Sequence, residues 1–453
     1  MIVCKFGGTS VADAGAIRRA AEIIRGRLDR HPVVVVSALA GTTNALLSAA
    51  EQAASGNLVA AIATVEASRA RHMTAVAELL GDDDAAGEIA ADESVMFDEL
   101  AHLMEALSVL GHVTDRSLDA ISSMGEQLSA PVITAAFVRA GIDAVLVDSR
   151  DVMITDAQFG RAEPQPEAIA AACRERVAPL AHAGKVPVMA GYLGSTMQGV
   201  TTTLGRGGSD YSASLLGAAL EAQAIEIWTD VDGMLTADPR VVDSPKLIEH
   251  IRFDEAAELA SFGAKVLHPN AIAPAVRLGI PVYVLNSLNP SGRGTKITFD
   301  APRMPVRAIA AKGNTVIVKV GSTRMVATPG VLRAIFDVFE RNRISVDVVT
   351  TSEVSVSVTL DEDKHLDVVV GQLREFGDVG VERGRAIIAV VGAGLGDSSA
   401  AMAKAMAAIG DVRLHMVSLS ATGINLTLIV DGDDMKPVMR RLHDAFFGAG
   451  ATA

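Results

Sequence analysis

The sequence predicts an α/β protein in which a mainly parallel sheet is sandwiched by helices, followed by two small βαββαβ modules of α+β type. Three observations carry that reading. From residue 2 to about 300, short near-continuous apolar runs alternate with amphipathic stretches, the pattern of strands buried on both faces and joined by helices. Beyond the Pro-, Gly- and Ser-rich segment SLNPSGRGTKITFDAPRMPV (287–306), the runs shorten and apolar residues alternate with polar ones, the mark of a sheet covered on one face. The tail also repeats itself: 344–373 is similar to 413–442, at a spacing of roughly 70 residues.

Taken in order, IVCKF (2–6) is the first strand and the amphipathic stretch from Asp13 to Leu28 the first helix. VVVVSA (33–38) is the second strand. Region 42–130 is almost entirely helical in pattern and reads as an insertion between two strands of the sheet. DAVLVD (143–148), KVPVMAGY (185–192), AIEIWTDV (224–231) and PVYVLN (281–286) supply further strands, with a helix from Pro166 to His182 among them. The expected domains are therefore 1–300, then modules 301–383 and 384–453, which can exchange strands. In the first module EVSVSVTL (353–360) places Val354, Val356 and Val358 on one face.

Composition narrows the function. At 453 residues the chain exceeds one ordinary core, and 49% hydrophobic with 21% charged residues is globular. No apolar run approaches a membrane span, and Lys5 interrupts the N-terminal one after three residues, so neither a membrane segment nor a secretory signal is expected. Two cysteines, Cys4 and Cys173, make no disulfide framework, which points to a reducing cytoplasm. A net charge of −14 and the lack of long basic clusters argue against nucleic acid as a partner. Anionic substrates would then need local cations to overcome the global field.

Five stretches stand out. In KFGGTS a strand ends in Lys5 and runs into Gly7 and Gly8 before a helix, which is either a plain turn or a phosphate cradle of N–H groups and one positive charge. TLGRGGSDYSASLLGAAL (203–220) repeats the arrangement, with Arg206 outside a helix start where Ser209 or Asp210 could cap the first turn. Two such starts in one sheet are harder to dismiss than one, because ligands of open α/β sheets collect at the carboxyl ends of strands. TDVDGMLTADPR (229–240) is a polar loop after a strand, SMGEQLSA (123–130) holds Glu126 among small residues, and AKVLHPNA (264–271) holds Lys265 before a break at Pro269. Each of the three is ordinary by itself. The glycine turn at AIIAVVGAGLGDSSAAMAKAM (386–406) has G-x-G-x-G spacing and lacks a ribose-binding acid after the next strand, so it reads as a module turn rather than a dinucleotide site.

Taken together and in this order, KFGGTSV, VSALAGTTN, GEQLSA, TLGRGGSD, TDVDGMLTADPR and KVLHPNA resemble the amino acid kinase family, specifically its aspartate kinases. The two C-terminal modules look like the paired ACT regulatory domains of that family, so the resemblance spans nearly the whole chain. It implies transfer of the γ-phosphoryl group of MgATP to the β-carboxylate of L-aspartate, the first step toward lysine, threonine, methionine and diaminopimelate. Carried over residue by residue, Lys5 stabilises the transferring group, with Gly7 and Gly8 as N–H donors, and Asp210 orients the cationic groups. A carboxylate nucleophile is already ionised at neutral pH, so no strong base is needed. The resemblance gives Arg206 the α-carboxylate and Glu126 the α-ammonium of aspartate, with Ser37, Thr43 and Ser209 near the β-carboxylate. For ATP it gives Thr229, Asp230, Arg240, Lys265 and Val266, and Leu235 where some relatives carry a tyrosine. The metal is expected to be magnesium, held largely by phosphates and water, with no protein ligand assigned.

The string MVATPGVLRAIFDVFERNRISVDVVTTSEVSVSVTL (325–360) resembles the lysine-sensitive type, in which an amino acid binds between paired ACT modules at a dimer interface. The positions carried over are Met325, Thr328, Val331, Leu332, Val346, Asp347, Ser352 and Glu353, with Asp347 and Glu353 facing the two ammonium groups of lysine and Val331 and Val346 also serving as core. A homodimer or dimer of dimers is expected. The end of the chain after the second module implies a monofunctional enzyme without a homoserine dehydrogenase domain. A kinase of glutamate or acetylglutamate, or a non-catalytic amino-acid sensor, are the competing readings.

Overall fold

The computed structural model describes residues 1–82, 84–263, 269–321, 330–361 and 366–448. The chain divides into two compact units, Met1–Met234 with Val266–Asp300, and Leu235–Lys265 with Ala301–Ala453. Residues 235–265 thus group with the tail rather than with the first 300.

The first unit begins β1 (Ile2–Phe6), α1 (Ala14–Arg25), β2 (Pro32–Val36), α2 (Thr42–Ala54), α3 (Leu58–Leu80), α4 (Asp84–Leu110), α5 (Asp115–Arg139) and β3 (Ala144–Val147). It continues with β4 (Ile154–Thr155), α6 (Pro166–Ala172), α7 (Ala178–His182), β5 (Val186–Ala190), β6 (Leu193–Thr196), β7 (Thr201–Thr203), α8 (Gly208–Ala219) and β8 (Ile225–Thr229). After β9 (His250–Arg252) and α9 (Phe253–Ser261), which belong to the second unit, come α10 (Ala273–Leu278), β10 (Val282–Asn286) and β11 (Thr295–Thr298). Strands β3, β5, β2, β1, β8 and β10 lie in that order and are all parallel, and β11 runs antiparallel on β10. The helical insertion expected at 42–130 is α2 to α5.

Two local departures matter. The glycine pair does not open the first long helix: it opens a 3-10 turn (Gly8–Val11), and α1 starts later, where the Asp13 side chain accepts from Ala16 N–H at 2.8 Å. The stretch from Pro166 to His182 is helical as expected but contains a π turn at Cys173–Val177. In β1 the alternation sends Ile2, Cys4 and Phe6 into the core between the sheet and α1, leaving Lys5 on the other face. The helices of the insertion bury a separate core that includes Leu46, Phe97, Leu100, Met104 and Leu128.

In the second unit a six-stranded antiparallel sheet is built from β12 (Ala308–Gly321), β13 (Val349–Thr351), β14 (Ser355–Leu360), β15 (Asp378–Val391), β16 (Met416–Leu419) and β17 (Asn425–Asp431), with α11 (Val331–Arg341), α12 (Leu366–Leu373), α13 (Ser399–Ile409) and α14 (Met435–Phe447). The order is β13-β14-β12-β15-β17-β16. Both central strands are 14 residues long and serve two modules. Residues 316–321 of β12 pair with β14 and Thr315 to Gly321 lie along the front of β15, whereas 308–312 pair with 387–391, the back of β15. The fourth strand of the second βαββαβ module therefore precedes the first module in sequence, and β15 runs unbroken through residues 383 and 384. Val356 and Val358 are buried as the alternation requires, but Val354 lies before β14 and is exposed. The 392–396 glycine turn packs on its own unit: a Cβ at Gly392 would fall 2.3 Å from the Pro305 carbonyl, and Ala393 N–H donates to buried Glu255 at 2.8 Å. Chain fills the space a pyrophosphate would need.

Candidate active site

The order of strands reverses between β1 and β8, and the carboxyl ends of β1, β2, β5 and β8 open on the same edge of the sheet. There a cleft of about 400 Å3 is lined by Lys5, Ser37, Thr43, Asn44, Glu126, Tyr192, Arg206, Ser209 and Asp210, with Gly205, Gly207 and Gly208. Seven residues singled out in the sequence, from four segments spread over two hundred positions, meet in it: Lys5, Ser37, Thr43, Glu126, Arg206, Ser209 and Asp210.

Lys5 leaves the middle of the sheet, between Val35 of β2 and Ile227 of β8, and its Nζ lies 2.6 Å from Asp210 Oδ1 in the first turn of α8. Both side chains are mostly buried. Asp210 is free for this because it is not the helix cap: the cap position is Gly207, whose φ of +68° glycine tolerates and whose residue type offers no side chain. Nor does Ser209 cap. The start of α8 thus presents unengaged N–H groups and the Lys5–Asp210 pair to one space, which suits phosphoryl oxygens.

The first glycine pair behaves differently. Gly7 N–H is already spent on the Trp228 carbonyl at 3.0 Å, so it is not a donor to a ligand here. Gly8 N–H, at the head of the 3-10 turn, has no partner among the described residues. The turn is braced by Ser10, whose hydroxyl meets Trp228 O at 3.2 Å and Ser287 Oγ at 2.8 Å.

Glu126 is the electrostatic anomaly of the cleft. It is 4% exposed, Ala38 N–H bonds its carboxylate, and Oε2 has no partner among the described residues. Burial pushes its pKa up to about 8, against the pull of those backbone hydrogen bonds. A carboxylate held this way wants a cation. Arg206, by contrast, is exposed on the loop before α8 and forms no ion pair among the described residues. One buried acid without a cation and one exposed guanidinium without an ion pair among the described residues line the same cleft, a set that matches a zwitterionic α-amino acid. Ser129 Oγ donates to the Ser37 carbonyl at 2.9 Å and fixes α5 against the loop carrying Ser37.

Of the nucleotide positions, Thr229 ends β8, its hydroxyl donating to Asp230 at 3.1 Å while its carbonyl accepts from Ser287 N–H at 2.8 Å. Leu235 and Arg240 belong to the second unit, where Asp238 holds the Arg240 guanidinium at 2.7 Å. Lys265 and Val266 lie outside the described residues. So do Met325 and Thr328 of the regulatory set. Of the rest, Val331 and Val346 pack on the core of the first module, Leu332 and Glu353 are exposed, and Ser352 closes the β13–β14 hairpin through Ser355 Oγ at 2.8 Å. Asp347 already faces an ammonium: Lys312 Nζ lies 3.2 Å away and also pairs with Asp361. Burial and the neighbouring Asp361 raise Asp347 to about 6.

Two residues of the cleft region escaped sequence reasoning. Tyr192 adopts the left-handed φ of +70°, costly outside glycine, and its hydroxyl lies 3.2 Å from Ser122 Oγ. Asp119 is buried and accepts hydrogen bonds from residues 41 and 84 positions away.

Residues 1–286 match the amino acid kinase family, and 318–370 with 388–446 match the ACT domain. Lysine-sensitive aspartokinase 3 of Escherichia coli (strain K12) is 36% identical over 99% of this chain and 99% of its own. Aspartokinase 1, chloroplastic, of Arabidopsis thaliana is 36% identical over 99% of this chain and 80% of its own. Among solved structures, E. coli aspartokinase III in complex with aspartate and ADP (R-state) superposes with a TM-score of 0.87 at 35% identity, covering 98% of this chain and 99% of that one. The same enzyme with lysine and aspartate (T-state) gives 0.82 at 35% identity, covering 99% of each. A kinase unit with the Lys5–Asp210 cleft, followed by tandem ACT modules and matched along its whole length, places this chain in the amino acid kinase family, among the aspartokinases.

Proposed function

We propose that the protein transfers the γ-phosphoryl group of ATP to the β-carboxylate of L-aspartate, giving 4-phospho-L-aspartate for lysine, threonine, methionine and diaminopimelate synthesis in the cytoplasm. The observation that carries the substrate assignment is the pairing of Glu126 with Arg206 across one cleft beside Lys5 and Asp210. Arg206 takes the α-carboxylate, where a guanidinium fork suits the geometry. Glu126 takes the α-ammonium. The side-chain carboxylate then lies toward Lys5, Ser209 and the start of α8, with Ser37 and Thr43 beside it.

Phosphoryl transfer leaves a protein little covalent chemistry, so positioning and charge neutralisation dominate. Lys5 offsets charge on the transferring group, Asp210 aims its ammonium, and Gly8 and the α8 N–H groups complete the cradle. Thr229, Asp230, Leu235, Arg240, Lys265 and Val266 are assigned to the nucleotide. Among the described residues no cluster of three His, Cys, Asp or Glu side chains can hold a metal. A magnesium ion borne by the nucleotide's phosphates and water would supply further charge neutralisation when bound.

Incubation with ATP and hydroxylamine tests substrate and acyl-phosphate chemistry together. Hydroxamate is expected with L-aspartate and not with L-glutamate or N-acetylglutamate; product from the latter pair alone would overturn the reading. N-acetylglutamate has no ammonium for Glu126.

We further propose regulation by L-lysine at a homodimer interface formed by the first ACT module. The support is Asp347, a carboxylate that already attracts an ammonium, together with Glu353. Lysine is expected to inhibit, and Asp347→Ala to raise the half-inhibitory lysine concentration about tenfold. Inhibition by threonine but not lysine would refute it.

A further inference from the structure

The buried face of α5 carries a column of polar side chains, Asp119, Ser122, Ser123 and Glu126, none more than 4% exposed. Spacings of three, four and seven put them on one side of the helix. Polar groups are buried only where donors and acceptors meet them, and the partners of this column lead to a single place. Both oxygens of Asp119 accept from Gly160 N–H at 2.9 Å, one accepts from Thr203 N–H at 3.0 Å, and the other from the Thr203 hydroxyl at 2.6 Å. Among the described residues no cation pairs with Asp119, so the neighbouring loops themselves satisfy the carboxylate. One turn along, Ser122 meets the Tyr192 hydroxyl, and the Tyr192 carbonyl accepts from Leu204 N–H at 2.9 Å.

Thr203 and Leu204 are the last residues before Gly205 and Arg206. The short loop carrying Arg206 is exposed and held at both ends, by Thr203 in β7 and by the start of α8, so its path depends on how Thr203 is anchored. Glu126 sits two turns after Asp119 on the same helix, about 10 Å along its axis. Asp119 therefore joins the helix of the acid to the root of the loop of the guanidinium. The two charged groups of an α-amino acid sit on one carbon, so recognition by two separate side chains tolerates little change in their separation.

We propose that Asp119 is a positioning residue that sets the separation of Arg206 from Glu126 and so tunes the enzyme for an α-amino acid zwitterion. The inference rests on the assignment of these two residues to aspartate made above.

Steady-state kinetics of full-length Asp119→Ala, Asp119→Asn and Thr203→Val test it, with thermal midpoints measured alongside. Asp119→Ala is expected to raise the KM for aspartate about tenfold or more, because misplacement by an ångström costs that much or worse. The KM for ATP should stay within about twofold, and inhibition by succinate, which can meet Arg206 but has no ammonium for Glu126, should weaken less than aspartate binding does. Asp119→Asn, with one acceptor left, falls between. Thr203→Val removes one hydroxyl bond without emptying the core, is expected to raise the aspartate KM about threefold, and decides the matter if the Asp119 variants do not fold. An aspartate KM within twofold of wild type in every folded variant overturns the proposal. So does a parallel rise of aspartate KM, ATP KM and succinate inhibition constant with a fallen midpoint, which is what a merely structural role gives. If the unaltered enzyme fails to turn over aspartate, the substrate assignment fails instead.

Discussion

Lys5→Ala is expected to lower kcat by about 10³-fold, the loss of a fixed positive group at a transferring phosphoryl. The side chain rises from the centre of a six-stranded parallel array and is aimed by Asp210 at 2.6 Å, and among the described residues lining the cleft the other cation, Arg206, is exposed on the loop before α8. Lys5→Arg keeps the charge but offers a broad planar fork where a point charge sat, and should recover little. Removing the ammonium also strands a mostly buried Asp210, so stability falls by about 1–3 kcal/mol. Coupled ADP release measured well below the thermal midpoint separates the two effects. A folded Lys5→Ala enzyme with kcat within tenfold of wild type would sink the assignment of Lys5 to the chemistry.

Glu126→Gln is expected to raise the KM for aspartate about a hundredfold, since a buried carboxylate would no longer meet the ammonium. A pH signature should accompany it. With its pKa at about 8 in the free protein, Glu126 is protonated at pH 6 and 7, and an ammonium ligand must drive that proton off. The aspartate KM of the unaltered enzyme should therefore fall close to tenfold per pH unit between 6 and 8 and flatten above 8. Glu126→Gln should show no such slope. Stability moves the other way. From about pH 4.5 to 8 the folded protein holds a proton that the unfolded chain releases, so this residue withdraws stability as pH rises through that window. A wild-type aspartate KM that is flat from pH 6 to 8 would show that Glu126 is ionised before the substrate arrives.

The alternation of apolar strands with helices was legible because parallel strands buried on both faces must be largely apolar, and IVCKF, VVVV and IEIWT are, with Lys5 and Glu226 as their charged exceptions. The cleft was legible in part because its charged residues sit in short contiguous strings, GEQLSA and GRGGSD among them. What lay beyond reach was anything decided by two distant segments. Asp119 in DRSLDAIS looks like a solvent-facing acid, since its donors are at Gly160 and Thr203. Tyr192 ends a stretch that reads as an ordinary strand, whereas β5 stops at Ala190, and its backbone strain leaves no trace in residue type. Ser209 and Asp210 looked like caps because serine and aspartate usually are, but Gly207 turns the chain first. Gly7 looked like a donor because a partner at Trp228, 221 positions on, leaves no local mark.

The two long strands of the ACT region set an order of assembly. Residues 308–312 emerge from the ribosome ahead of the whole first module, yet their neighbours at 387–391 and the rest of that half arrive some eighty to one hundred and forty residues later. Until then a short apolar edge, Ala308 to Ala311, waits unpaired beside a finished neighbour. A fragment stopping near residue 384 would keep that edge open permanently, so truncation there should yield an aggregating product rather than a one-module enzyme.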